Sequence, residues 1–139
     1  MKSFFIAVAI MIALTATNTL ASGDYHAEHK SAVVLAMFGT TVEPALQGLL
    51  NIQKKIEQKF PNTRVRVAFT SNIIRKKWHH RAEDPEYIKA HPEIPKNILH
   101  VKTPLATIAD LQNESYDNIV IQPTHVSLGE EFLDLHTYA

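Results

Sequence analysis

Apolar and polar positions follow two different periods along this chain, and the changes of period mark its elements. "SAVVLAMF" (31–38) is a continuous apolar run between Lys30 and Gly39. Its length and composition predict a strand buried on both faces, as in a parallel sheet. After the turn "GTTVEP", Pro44 opens a stretch in which Ala45, Leu49, Ile52, Ile56 and Phe60 recur at helical spacing and define one apolar face. Lys54, Lys55 and Lys59 gather late in it, where cations suit the helix C-terminus, and "PNT" ends it. "RVRVAFT" (64–70) reads as a second strand, and "SNIIRKKW" as a short helix capped by Ser71 or Asn72. Residues 79–102 carry Pro85, Pro92 and Pro95, a spacing that excludes a long regular element and leaves an excursion with short helical turns. Thr103 caps a further helix with Pro104 at its first position. Its expected apolar face is Leu105, Ile108, Ala109 and Leu111. "DNIVIQP" (117–123) is the third strand, and "SLGEEFLDLHTYA" begins a last helix.

Strands separated by helices imply an α/β fold, a parallel sheet of three or four strands joined by right-handed crossovers. Ligands of such sheets bind beyond the carboxyl ends of the strands. Three strand ends should therefore share one rim: "FGTT" at 38–41, "FTSN" at 69–72 and "PTHVSLGEE" at 123–131. All three are rich in hydroxyls.

Composition narrows the setting. Met1 and Lys2 precede the apolar run Ser3–Leu14, and the small residues of "TATNTLA" follow. That is the layout of a secretory signal peptide, with cleavage expected after Ala21. The run falls short of the roughly 20 residues of a spanning helix, so no membrane attachment is expected after cleavage. The expected organisation is a signal peptide at 1–21, a flexible leader at 22–31 and one α/β domain at 32–139, in a periplasmic protein. Across the chain 14 basic residues balance 14 acidic ones. Loss of Lys2 tips the balance slightly negative, so nothing attracts nucleic acid. Cysteine is absent, which excludes disulfides, thiolate metal sites and c-type haem attachment.

The chemistry at the rim comes from few residue types. Gly39, Thr40 and Thr41 offer a tight turn and hydroxyls at a helix start, a setting for a carboxylate or phosphate, or simply for capping by Thr41. They form neither a P-loop nor a dinucleotide fingerprint. His125 follows the third strand and precedes Glu130 and Glu131. A histidine with carboxylates can hold a divalent cation or relay a proton, whereas acids in a first helical turn also serve the helix dipole. His79, His80, His91 and His100 lie in the excursion at spacings that match no standard zinc pattern. A solvated loop explains them, and a haem ligand among them is the alternative. Nothing supports nucleophilic catalysis, since there is neither a Cys nor a G-x-S-x-G elbow.

The blocks "VVLAMFGTT", "FPNTRVRVAFTSNIIRKK" and "TPLATIADLQ…YDNIVIQPTHVSLGEEF" resemble, in order and over most of 32–134, the N-terminal half of the anaerobic cobalt chelatases, the sirohydrochlorin cobaltochelatases. The resemblance implies a class II chelatase fold of two flavodoxin-like halves. It implies insertion of Co²⁺, with Fe²⁺ or Ni²⁺ as possible alternatives, into sirohydrochlorin on the anaerobic route to cobalamin. His125 is then the expected catalytic and metal-contacting group, with Glu130 and Glu131 assisting. Gly39, Thr40, Thr41, Thr70 and Ser71 are expected to line the macrocycle site. The principal metal ligands of the family sit in G-H-G and G-D-H motifs of the second half, and neither motif occurs here. The chain is therefore expected to be a truncated N-terminal half. Such a half is expected to expose apolar surface, to self-associate as a homo-oligomer and to turn over weakly alone. A periplasmic metal- or tetrapyrrole-binding protein without catalysis is the alternative reading.

Overall fold

The chain was studied as a computed structural model that describes residues 29–125 and 129–137. The expected signal peptide and leader residues 22–28 lie outside the described residues. β1 (Ser31–Met37), β2 (Arg64–Phe69) and β3 (Asn118–Pro123) form an all-parallel sheet of order β2-β1-β3. Register sets Leu35 against Val67 on one side and Gln122 on the other. The apolar run of β1 follows from this order, because the central strand is covered on both faces. β3 lies at an edge and is only half covered, leaving Val120 52% exposed.

Alternation along the strands divides the core in two. Leu35 and Met37 face Val65, Val67 and Phe69 on one side, together with Leu46, Trp78, Ile98, Leu99 and Val101. Ala32, Val34 and Ala68 face the other side, against Leu111, Ile108 and Ile119. The first of these layers is supplied by α1 (Glu43–Lys59), α2 (Asn72–Ala82) and α4 (Lys96–Leu99), and the second by α5 (Pro104–Asn113).

Two helix faces differ from those that the periodicity predicts. α1 buries Leu46 and packs Leu49, Leu50 and Ile56, while Ala45, Ile52 and Phe60 point outward. Both stripes contain Leu49 and Ile56, and packing against the strands selects the one that also holds Leu46 and Leu50. α5 buries Pro104, Thr107 and Leu111, and Leu105 is exposed. Thr107 tolerates burial because its hydroxyl donates to the Thr103 carbonyl at 2.9 Å. The Thr103 cap does form, its hydroxyl accepting from the Ala106 N–H at 3.1 Å. Ser71 occupies the N-cap of α2 without making a side-chain cap bond.

The excursion contains more helix than its prolines suggest. α2 continues four residues past Trp78, and α3 (Pro85–Ala90) and α4 follow. Pro85 opens α3 and Pro95 caps α4, so the prolines punctuate helices rather than interrupt them. Asp84 caps α3, accepting from Glu86 and Tyr87 N–H groups at 2.9 and 3.2 Å. The last helix, α6 (Glu130–His136), begins at Gly129. Among the described residues no helix is long and apolar enough to cross a membrane.

Gly39 makes the turn after β1 possible. Its φ is 93°, and a Cβ there would stand 2.7 Å from Phe69 Cγ and 3.2 Å from Ile74 Cγ2. Left-handed strain costs about 1–2 kcal/mol and overpacking about 1–3 kcal/mol. Gly39→Ala is therefore expected to lower stability by roughly 2–4 kcal/mol, read from urea unfolding. A loss below about 0.5 kcal/mol, the level of ordinary surface substitutions, would show that the turn relaxes freely.

The leader is attached at its end. His29 Nδ1 lies 2.6 Å from Asp117 Oδ2, although both side chains are exposed. The hydrogen bond from His29 holds the Asp117 carboxyl below its ordinary value. A depressed carboxylate contributes stability above its unfolded-state pKa and loses it as pH falls through the folded value. His29→Ala should return Asp117 upward to the usual carboxylate range in a carbonyl-detected NMR titration. An unmoved titration would mean that the contact is not made in solution.

Candidate functional site

The parallel order carries the ends of β1 and β2, and the segment after β3, to one edge of the sheet. Backbone bonds extend the strands past their formal ends. Thr70 N–H donates to the Met37 carbonyl at 2.8 Å, Ser71 N–H to Phe38 at 3.3 Å, and Thr124 N–H to Ala36 at 3.0 Å. These bonds place Thr70 and His125 on opposite sides of the β1 terminus, where Thr70 Oγ1 and His125 Nε2 meet at 2.9 Å. A separation of 55 residues in sequence is closed at this point.

The hydrogen bonding of His125 is one-sided. Its Nδ1 is buried and has no partner among the described residues. The Thr70 hydroxyl lies 3.4 Å from the Met37 carbonyl, which can only accept. When the hydroxyl donates to Met37, Nε2–H donates to the hydroxyl, and Nδ1 carries a lone pair. The opposite tautomer would bury an unpartnered N–H, which costs about 1–3 kcal/mol. The geometry therefore favours an imidazole whose unshared nitrogen is a base or a metal donor. Phe132 stands edge-on to the ring, with centroids 6.1 Å apart.

Beside this pair lies a recess of about 340 Å³, lined by Thr70, Asn72, Arg75, Thr103, Pro104, Glu131, Asp134 and Leu135. Arg75 is part of its wall and donates to the carbonyls of Phe69 at 2.5 Å and Thr70 at 2.6 Å. Adjacent helical residues point about 100° apart. Glu131 accordingly lines the recess, while Glu130 is exposed and is absent from its wall. Ser71 is buried and does not line the recess.

The 39–41 turn ends β1 on the same rim, but it does not line the recess. Thr40 Oγ1 accepts from Val42 N–H at 3.1 Å, and the carbonyls of Thr40 and Thr41 accept from Trp78 Nε1 and Arg81 Nη1 at 2.8 and 3.1 Å. Capping by Thr41 does not occur, because Val42 occupies the N-cap of α1. Of the excursion histidines, His79 is bonded to the Val101 carbonyl at 2.7 Å, and His80 and His100 are exposed. His91 is drawn to Glu43 and Glu93.

A larger recess of about 460 Å³ runs along β2. Two of the cations that line it are already engaged, Arg66 with Glu114 at 2.7 Å and Lys102 with Asp110 at 2.6 Å. It also lies away from the strand ends where sheets of this kind bind ligands. Sequence reading missed Arg75, Thr103 and Asp134. Arg75 was legible only as part of a basic helix, and the other two reach the recess through long-range packing alone. Residues 31–139 match the family model described as Cobalt chelatase (CbiK).

Proposed function

This chain belongs to the cobalt chelatase (CbiK) family, and from that premise we propose that it takes part in inserting Co²⁺ into sirohydrochlorin on the anaerobic route to cobalamin. The observation that carries the reading is the buried, unshared Nδ1 of His125 at the carboxyl end of the sheet. Insertion needs water stripped from the metal and two pyrrole protons removed. An unshared imidazole nitrogen can serve either step, as donor or as base. Glu131 lines the recess together with Thr70, a wall that does not include His125, and a carboxylate there can hold a cation or receive a proton from that side.

The roles divide by position. Thr70 fixes the tautomer and orientation of His125, and the Thr103 hydroxyl offers a donor to the carboxylates around a tetrapyrrole's edge, while Arg75 holds the Phe69 and Thr70 carbonyls in place. At about 340 Å³ the recess is at the small end of ligand sites, which suits one edge of the macrocycle. Gly39, Thr40 and Thr41 would border the macrocycle by shape rather than by their hydroxyls. The leader pattern at 1–21 supports a periplasmic setting, and a mature N-terminus at Ser22 is the expected mass-spectrometric result.

The test is to mix purified chain with sirohydrochlorin and Co²⁺ and to follow the absorbance of the metallated product against spontaneous insertion. Protein-dependent acceleration supports the reading. Tetrapyrrole binding without acceleration would move the chain to the binding-protein alternative, and neither binding nor acceleration would overturn both.

A further inference from the structure

A second set of metal-capable side chains lies away from His125. Glu43 begins α1, and His91 and Glu93 follow α3. One donor atom from each converges, all within 4.8 Å of one another. His91 Nδ1 stands 3.4 Å from Glu43 Oε1 and 3.3 Å from Glu93 Oε1. Both separations exceed the roughly 2.7–2.9 Å of a good charge-assisted hydrogen bond. The His91–Glu93 contact is a long hydrogen bond, and both separations also lie near the edge, about 3.4 Å, of a tetrahedron whose centre is about 2.0–2.1 Å from each donor.

Tyr87 orients two of the three donors. Its hydroxyl donates to Glu43 Oε1 at 2.9 Å, and its ring stacks on His91 with centroids 4.3 Å apart and planes 29° apart. Arg81, 5.0 Å from the Tyr87 ring, is itself held by the Thr41 carbonyl and the Trp78 face. Outer contacts of this kind, fixing a carboxylate and an imidazole, are what metal sites use to hold ligand geometry.

We propose that Glu43, His91 and Glu93 form a binding site for a divalent transition metal ion, with the remaining coordination positions open to solvent. One imidazole and two carboxylates suit Co²⁺ or Zn²⁺ and are poor for a thiophilic ion. Such a site ties the α2–α3 excursion to the start of α1. It stands whether or not His125 acts in chelation.

The experiment titrates Co²⁺, without tetrapyrrole, into the full chain carrying His125→Ala, so that the rim histidine adds no signal. Calorimetry gives the stoichiometry, and the visible d–d absorption of Co²⁺ reports the coordination geometry. One ion per chain is expected, with the signal lost on adding His91→Ala. Glu93→Gln, at a half-exposed side chain, removes a ligand with little risk to folding and should weaken binding at least tenfold. Tyr87→Phe should weaken it by roughly 10–100-fold, the usual effect of deleting an outer-shell partner. Unchanged Co²⁺ affinity in the His91→Ala and Glu93→Gln chains would overturn the proposal. So would a parent chain that binds no Co²⁺, leaving the cluster as hydrogen-bonded surface groups.

Discussion

His125→Ala is expected to lower protein-dependent Co²⁺ insertion into sirohydrochlorin by roughly 10²–10⁴-fold, the range for loss of a positioned general base. The expectation rests on the unequal surroundings of the two ring nitrogens. Nε2 is committed to Thr70 at 2.9 Å, and Nδ1 is buried without a partner among the described residues. An alanine leaves no atom to accept a pyrrole proton or to replace water on the metal. Thr70→Val keeps the volume but removes the hydroxyl that links Nε2 to the Met37 carbonyl. A loss of roughly 10–100-fold is expected there, as for other groups that orient a ligand. Thr70→Ser should restore most of the rate, which a purely packing role for Thr70 would not require. Circular dichroism must show each variant folded. Turnover of the His125→Ala chain at the wild-type rate would remove His125 from the chemistry.

Trp78→Ala is expected to cost about 3–5 kcal/mol of folding stability, the range for deleting a large buried aromatic. Trp78 is fully buried in the layer shared with Leu35, Met37 and Phe69. Its indole N–H also donates to the Thr40 carbonyl at 2.8 Å, and its face carries Arg81 at 4.6 Å. The substitution leaves a cavity, a carbonyl without its donor and a guanidinium without its platform. Trp78→Phe keeps most of the volume and loses the bond, so it should recover more than half of the loss in urea unfolding. Equal losses for both variants would show that the hydrogen bond to the 39–41 turn, rather than packing, dominates. A cost below about 1 kcal/mol, the average for point substitutions, would contradict the core assignment.

Exposed apolar groups add a surface to be explained. Phe38, Val42, Ile73, Leu105, Val120 and Leu133 are all 47% exposed or more, and Val120 lies on the open edge of the sheet. Unpaired edges with apolar side chains invite strand pairing. Concentration-dependent elution on size-exclusion chromatography is therefore expected, and a monomer at all concentrations would count against it.

What the sequence by itself determined was the order of the strands and of the helices outside the excursion, and the class of the sheet. The apolar run at 31–38 requires cover on both faces, and helices between strands require parallel pairing. It also placed hydroxyls and His125 at strand ends, and its block pattern pointed to the cobalt chelatases. Local chemistry gave the Thr103 cap and the Pro104 start, because capping depends on near neighbours.

Only the tertiary structure decided which helix face turned inward, since Leu49 and Ile56 belong equally to two stripes and strand contacts choose between them. Only it chose Glu131 over Glu130, because neighbouring helical residues diverge and docking of α6 settles which one meets the recess. Only it joined Thr70 to His125, and His91 to Glu43 and Glu93. Those pairings depend on where crossovers and the excursion return, and one chain's local order carries no record of such distances.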